Sequence, residues 1–136
     1  MTTYWEASDI IATRRSEWQA SLRSGEYPQG QGRLATINPD GSEEYCCLGV
    51  ACETNMAALN LTRESDTYHV IYRLADGEAL SASFDEDQLA YYGLTDEQQS
   101  ILMTANDNGV SFDAIASIIS VMDITVPESA YDIDNR

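Results

Sequence analysis

Apolar positions recur at helical spacing between Ser8 and Ser24, where Ile11, Trp18 and Leu22 share one stripe and Gly25 is placed to end the helix. The stretch Tyr27-Pro28-Gln29-Gly30-Gln31-Gly32 breaks that period. Its proline and two glycines predict a loop. Residues 33–37 then read as a short strand, Asn38-Pro39-Asp40-Gly41 as a tight turn and residues 42–45 as the return strand. A helix is expected over 46–56, because Leu48 and Cys52, like Cys47 and Ala51, lie four apart on an apolar side.

Residues 59–66 are polar and predict irregular chain. Residues 67–74 carry the β-formers Tyr68, Val70, Ile71 and Tyr72, and Ala75-Asp76-Gly77-Glu78 turns the chain. Residues 79–84 are then expected to return as the second strand of a hairpin. Acids at Asp85, Glu86 and Asp87 open a short helix to Tyr92, at the end where the dipole favours negative charge. Thr95 with Gln98 forms a capping box for a helix to about residue 106, and Asn106-Asp107-Asn108-Gly109 turns the chain. Ser111 caps a last helix with the stripe Phe112, Ile115, Ala116, Ile119 and Met122. The order predicts one small α+β domain over 1–124, with two β-hairpins packed by four to five helices. Residues 125–136 are expected to be an acidic, loosely ordered tail.

Composition supports that frame. A length of 136 residues with 43% hydrophobic content suits a single packed domain. Three cysteines make no disulfide framework, and no apolar leader or membrane-length run is visible, so a reducing cytoplasm is expected.

Charge changes the picture most. The net charge is −16, from 23 acids against 7 bases, and every base is an arginine. Residues 74–135 carry 13 acids and no base. Direct binding to nucleic acid or to an anionic membrane is therefore not expected. The acidity serves solubility in the plain reading. In the sharper one it faces a basic partner, with Asp85, Glu86, Asp87, Asp96 and Glu97 as the contact acids.

Candidate chemistry is sparse. Cys46, Cys47, Cys52 and His69 contain the atoms of a Cys3His zinc site, yet adjacent cysteines on a helix point about 100° apart. Buried thiols are expected instead, with no metal and no cofactor. A cysteine near a helix start followed by a histidine on a strand resembles papain-like hydrolases, with Cys47 and His69 in those roles. Their separation of about twenty residues is short for that fold. The 106–109 turn lacks the carboxylates of a calcium loop. Arg23, Tyr27 and Arg33 flank the Gly-rich loop and would, if convergent, hold a small anion such as a nucleotide.

Several strings together resemble a group of small phage and prophage proteins that have no assigned activity. They run from Trp18 through Leu22-Arg23-Ser24-Gly25 to Tyr27, then Gln29-Gly30-Gln31-Gly32-Arg33-Leu34. They continue with Tyr45-Cys46-Cys47-Leu48-Gly49-Val50-Ala51-Cys52 and Asn106-Asp107-Asn108-Gly109-Val110-Ser111-Phe112. The resemblance implies a viral origin, and with it the cytoplasm of a host cell, and transfers no catalytic residue. The expectation is an accessory protein that binds and inhibits a host or defence factor with a basic surface, in the manner of a nucleic-acid mimic. Self-association stays open. The alternatives are nucleotide sequestration and Cys-His hydrolysis.

Overall fold

The computed structural model describes residues 4–80 and 82–127. Helix α1 (Tyr4–Arg23) leads into strands β1 (Ala35–Ile37) and β2 (Glu43–Tyr45), then helix α2 (Cys47–Thr54). Strands β3 (Thr62–Ser65) and β4 (Val70–Arg73) follow, and helices α3 (Glu86–Tyr92), α4 (Asp96–Asp107) and α5 (Phe112–Val121) complete an α+β domain. Several helix ends follow local chemistry. Gly25 takes φ +78° just past α1, and Thr95 and Gln98 exchange bonds at 3.0 and 3.1 Å to start α4. Ser111 accepts from the Ala114 amide to start α5.

Both hairpins are antiparallel. β1 pairs β2 with Ala35 opposite Tyr45, and β3 pairs β4 with Thr62 opposite Arg73. A bridge between Thr36 and His69, with the Ile37 amide donating to the Tyr68 carbonyl at 2.8 Å, sets β1 beside the start of β4.

The second hairpin differs from the sequence expectation. The partner of β4 is the preceding segment at 62–65, expected to be irregular, rather than residues 79–84. Asp66 causes this: its Oδ1 accepts from the amides of Tyr68 and His69, and its own amide donates to the His69 carbonyl. That closed turn folds the chain back one segment early. The later turn does form, with Gly77 at φ +91°, but it yields only the Arg73–Ala79 bridge before the chain departs. Helix α1 also starts at Tyr4, earlier than Ser8, and α2 stops at Thr54, short of Met56.

The core lies where α1, α2, α4 and α5 pack together. Trp18, Leu48, Val50, Leu102, Ile115 and Ile119 are almost fully buried there. The Trp18 indole donates to the Cys47 carbonyl at 3.0 Å, and its ring lies 4.8 Å from that of Tyr92. No helix among the described residues is long and apolar enough to cross a membrane. The expected tail falls mostly on 128–136, outside the described residues. Its first residue, Thr125, donates to the Gly93 carbonyl at 2.8 Å.

Candidate functional site

The Tyr45-to-Cys52 string is a packing junction. Gly49 faces the Leu34 carbonyl so closely that a Cβ would sit 1.7 Å from its oxygen, so α2 abuts the chain entering β1 directly. Cys46 is the N-cap of α2, its Sγ accepting from the Gly49 amide at 3.3 Å. Cys47 and Cys52 are completely buried, as their apolar side of the helix predicts.

Burial pushes the Cys46 thiol up to about 11, against the pull of the Gly49 and Leu48 amides. It drives Cys47 and Cys52 farther the same way. A nucleophilic cysteine needs the opposite shift. Cys47 Sγ lies 3.7 Å from the Leu102 carbonyl, while His69 Nδ1 lies 3.4 Å from Asp66 Oδ2. The described contacts do not join the cysteine to the histidine. Among the described residues, no group of three or more His, Cys, Asp or Glu side chains is arranged to hold a metal.

The Gly-rich loop is occupied by the protein itself. Asn106, wholly buried, accepts from the Cys47 amide at 3.2 Å and from Gln29 Nε2 at 3.1 Å, and donates to the Gly30 carbonyl at 2.8 Å. The Gly30 amide donates to the Tyr45 carbonyl, and the Gly32 amide to Asp107 Oδ1. Two strings that are conspicuous in the sequence are thus each other's partners. The loop's amides at Gly30 and Gly32 are not free to cradle a phosphate.

The arginines go separate ways. Arg15 is buried among four backbone carbonyls at the ends of α3 and α5. Arg14 stacks on the Tyr91 ring, 3.9 Å from its centre. Arg23 pairs with Asp113 at 3.1 Å and donates to Ser117. Tyr27 packs edge-on against Tyr45. Arg33 lines a cleft of about 360 Å³ with Leu34, Val70, Ile71 and Leu80, and neither Arg23 nor Tyr27 lines it. The expected convergence of Arg23, Tyr27 and Arg33 gives way because Asp113 on α5 claims Arg23 and the Tyr45 ring claims Tyr27.

A polar chain that the sequence did not reveal ties α2 to both hairpins. Arg63 on β3 bonds Glu43 at 2.6 Å and Glu53 at 2.7 Å. Tyr45 donates to Glu43 and Tyr72 to Glu53, each at 2.6 Å. The Tyr45 bond first, and Arg63 behind it, hold Glu43 below the usual carboxylate range despite partial burial. Burial, then the bond to Glu53, pushes the Tyr72 phenol far up. No buried side-chain polar atom among the described residues lacks a hydrogen-bond partner, and this chain of bonds acts as a structural lock. The signal available beforehand was only an arginine in a polar stretch.

The acids stand outside these networks. Asp85, Glu86, Asp87, Asp96 and Glu97 are all exposed. Among the described residues none of them is paired with a cation. The Phe84 amide donates to Gln99 Oε1 at 2.7 Å, which fastens the chain just before α3 to the first turn of α4. That bond links the residue before one acidic helix start to the first turn of the other. Asp85 and Asp87 also share the lining of one cleft with Asp76, Leu59 and Leu74.

Residues 12–82 match the family model described as "Domain of unknown function (DUF8296)". That segment holds Arg15, Trp18, the Gly-rich loop, both hairpins and α2. No curated protein and no solved structure matches the chain.

Proposed function

Starting from a chain that belongs to this DUF8296 family, we propose that the protein acts by stoichiometric binding of a basic partner through its acidic face. The observation that carries the reading is the exposure of five acids on the starts of α3 and α4, none of them paired with a cation among the described residues, with the Phe84–Gln99 bond linking the two turns. Acids in a first turn also complement the helix dipole, worth about 0.3–1 kcal/mol each. That local role asks for one or two acids per helix, and it leaves their carboxylates free to meet a partner. The cleft shared by Asp76, Asp85 and Asp87 adds the apolar side chains Leu59 and Leu74. Apolar surface ringed by carboxylates is what a lysine or arginine side chain requires, with its methylene stem and charged tip.

A protein that handles nucleic acid offers such a basic groove. Carboxylates spaced over two helix starts would stand in for phosphates. A host or defence factor is the partner that a viral setting would select. Buried thiols with raised pKa and an occupied Gly-rich loop give no comparable support to hydrolysis or to phosphate cradling.

The test compares the parent with a variant carrying Asp85→Asn, Glu86→Gln and Asp87→Asn. Asparagine at position 85 preserves the N-cap, so the fold should persist. Both proteins are immobilised and challenged with host lysate across a salt series. Exposed ion pairs contribute about 0.2–1 kcal/mol each, so the variant should release its basic partner at lower salt. Equal retention of every captured protein by parent and variant at all salt concentrations would rule the reading out.

A further inference from the structure

We propose that the cleft between residues 32–34, strand β4 and Ala79, Leu80 and Ala82 binds a small organic monoanion with an aliphatic body, its carboxylate held by Arg33. The site arises from a gap in the sheet. Ile37 and Thr36 attach β1 to the start of β4 through Tyr68 and His69. Leu80 and Ala79 attach the downstream chain to its end through Tyr72 and Arg73. Between the two attachments, Val70 and Ile71 border open space of about 360 Å³. That volume lies within the usual range for small-molecule pockets.

The lining is chemically one-sided. Leu34, Val70, Ile71 and Leu80 supply aliphatic surface, and the single charged residue is Arg33. Every other arginine among the described residues is committed: Arg14 to Tyr91, Arg15 to carbonyls, Arg23 to Asp113, Arg63 to two glutamates and Arg73 to Glu64. Arg33 alone among them has neither a hydrogen bond nor an ion pair. In a chain with 23 acids and 7 bases, a cation left without a carboxylate stands out, and no acid lines its cleft.

The same features select the ligand. No aromatic ring lines the cleft, so a nucleobase finds nothing to stack on. One guanidinium suits one carboxylate through a two-pronged contact. The net charge of −16 opposes every anion at long range and a dianion twice as strongly. Aliphatic contact must then carry part of the affinity, which the four apolar side chains provide.

Octanoate is the probe, with octan-1-ol and inorganic phosphate beside it, followed by amide NMR titration of the whole chain. Octanoate should shift residues 32–34, Val70, Ile71, Ala79, Leu80 and Ala82, octanol should bind more weakly at the same place, and phosphate should not bind. Arg33→Gln, an exposed and partnerless position, should keep the parent's melting temperature and weaken octanoate about tenfold or more while leaving octanol unchanged. Ala82→Glu sets a carboxylate in the cleft and should abolish octanoate binding independently. The proposal is overturned if octanoate does not bind, shifts other residues, binds Arg33→Gln as tightly as the parent, or is matched by phosphate.

Discussion

Nη2 of Arg15 donates to the carbonyl of Gly93 at 2.8 Å, joining the middle of the first helix to the residue that ends α3. Gly93 sits at φ +61°, the left-handed position a helix end favours in glycine. The same guanidinium donates to Tyr92 at 2.7 Å, Met122 at 2.7 Å and Asp123 at 3.0 Å. One buried cation thereby satisfies the orphan carbonyls of two helix ends, where the dipole is negative.

Replacing Arg15 with alanine should lower unfolding free energy by at least about 3 kcal/mol, since several buried carbonyls lose a charged donor at once. Lysine should rescue only part, because an ammonium lacks the planar fork that reaches both helix ends. Urea titration of the two variants checks the order parent, lysine, alanine. A lysine variant equal to the parent would show that charge alone suffices.

Gly49→Ala should be among the most disruptive single changes available. The new Cβ would meet the Leu34 oxygen at 1.7 Å, and both neighbours are backbone. Overpacking usually costs about 1–3 kcal/mol, and here neither side can rotate away. Far-UV circular dichroism against temperature should show a melting point well below that of Gly25→Ala, whose Cβ meets nothing within 4 Å.

Asn106→Asp tests the lock between the Gly-rich loop and α2. Its donor to the Gly30 carbonyl, now 2.8 Å away, becomes a second acceptor. The expected cost is about 1–3 kcal/mol for the unmatched buried group, more if the carboxylate stays charged. Hydrogen exchange should rise first around Gly30, whose carbonyl loses its donor, while the Cys47 amide keeps an acceptor at position 106.

Alkaline pH should weaken the fold through the thiols. A free cysteine loses its proton near about pH 8.5, whereas burial holds Cys46 up to about 11. Between those values the unfolded chain has shed a proton that the folded chain keeps. Stability is thus level below the lower value and falls as pH rises toward the upper one. Melting curves from pH 7 to 11 should show that decline. Cys46→Ser, which keeps an N-cap acceptor, should remove part of it. Native-state alkylation by iodoacetamide should be slow throughout, because all three cysteines are buried.

Local chemistry was legible beforehand. Thr95 and Gln98, Ser111, Gly25 and the first hairpin's turn all act within a few residues, so their signals survive in one dimension. The acids at 85–87 and 96–97 were equally plain, and their exposure follows from charge. The second hairpin was not, because β4 is flanked by two candidate partners. The choice fell to the Asp66 turn and to Arg63, whose partners Glu43 and Glu53 lie on other elements.

The sequence by itself determined the α+β class, the helix ends, the buried face of α2 and the surplus of negative charge, all consequences of nearest-neighbour chemistry and periodicity. Tertiary structure alone decided what the rarer residues do. Arg15 finds carbonyls 77 to 108 positions away, Asn106 reaches back 59 positions to Cys47, and Arg33 is left with none. A polar side chain in a periodic stretch carries no mark of its distant partner. Whether it serves as a cap, a lock or a free charge is settled only when packing brings the ends of other elements to it.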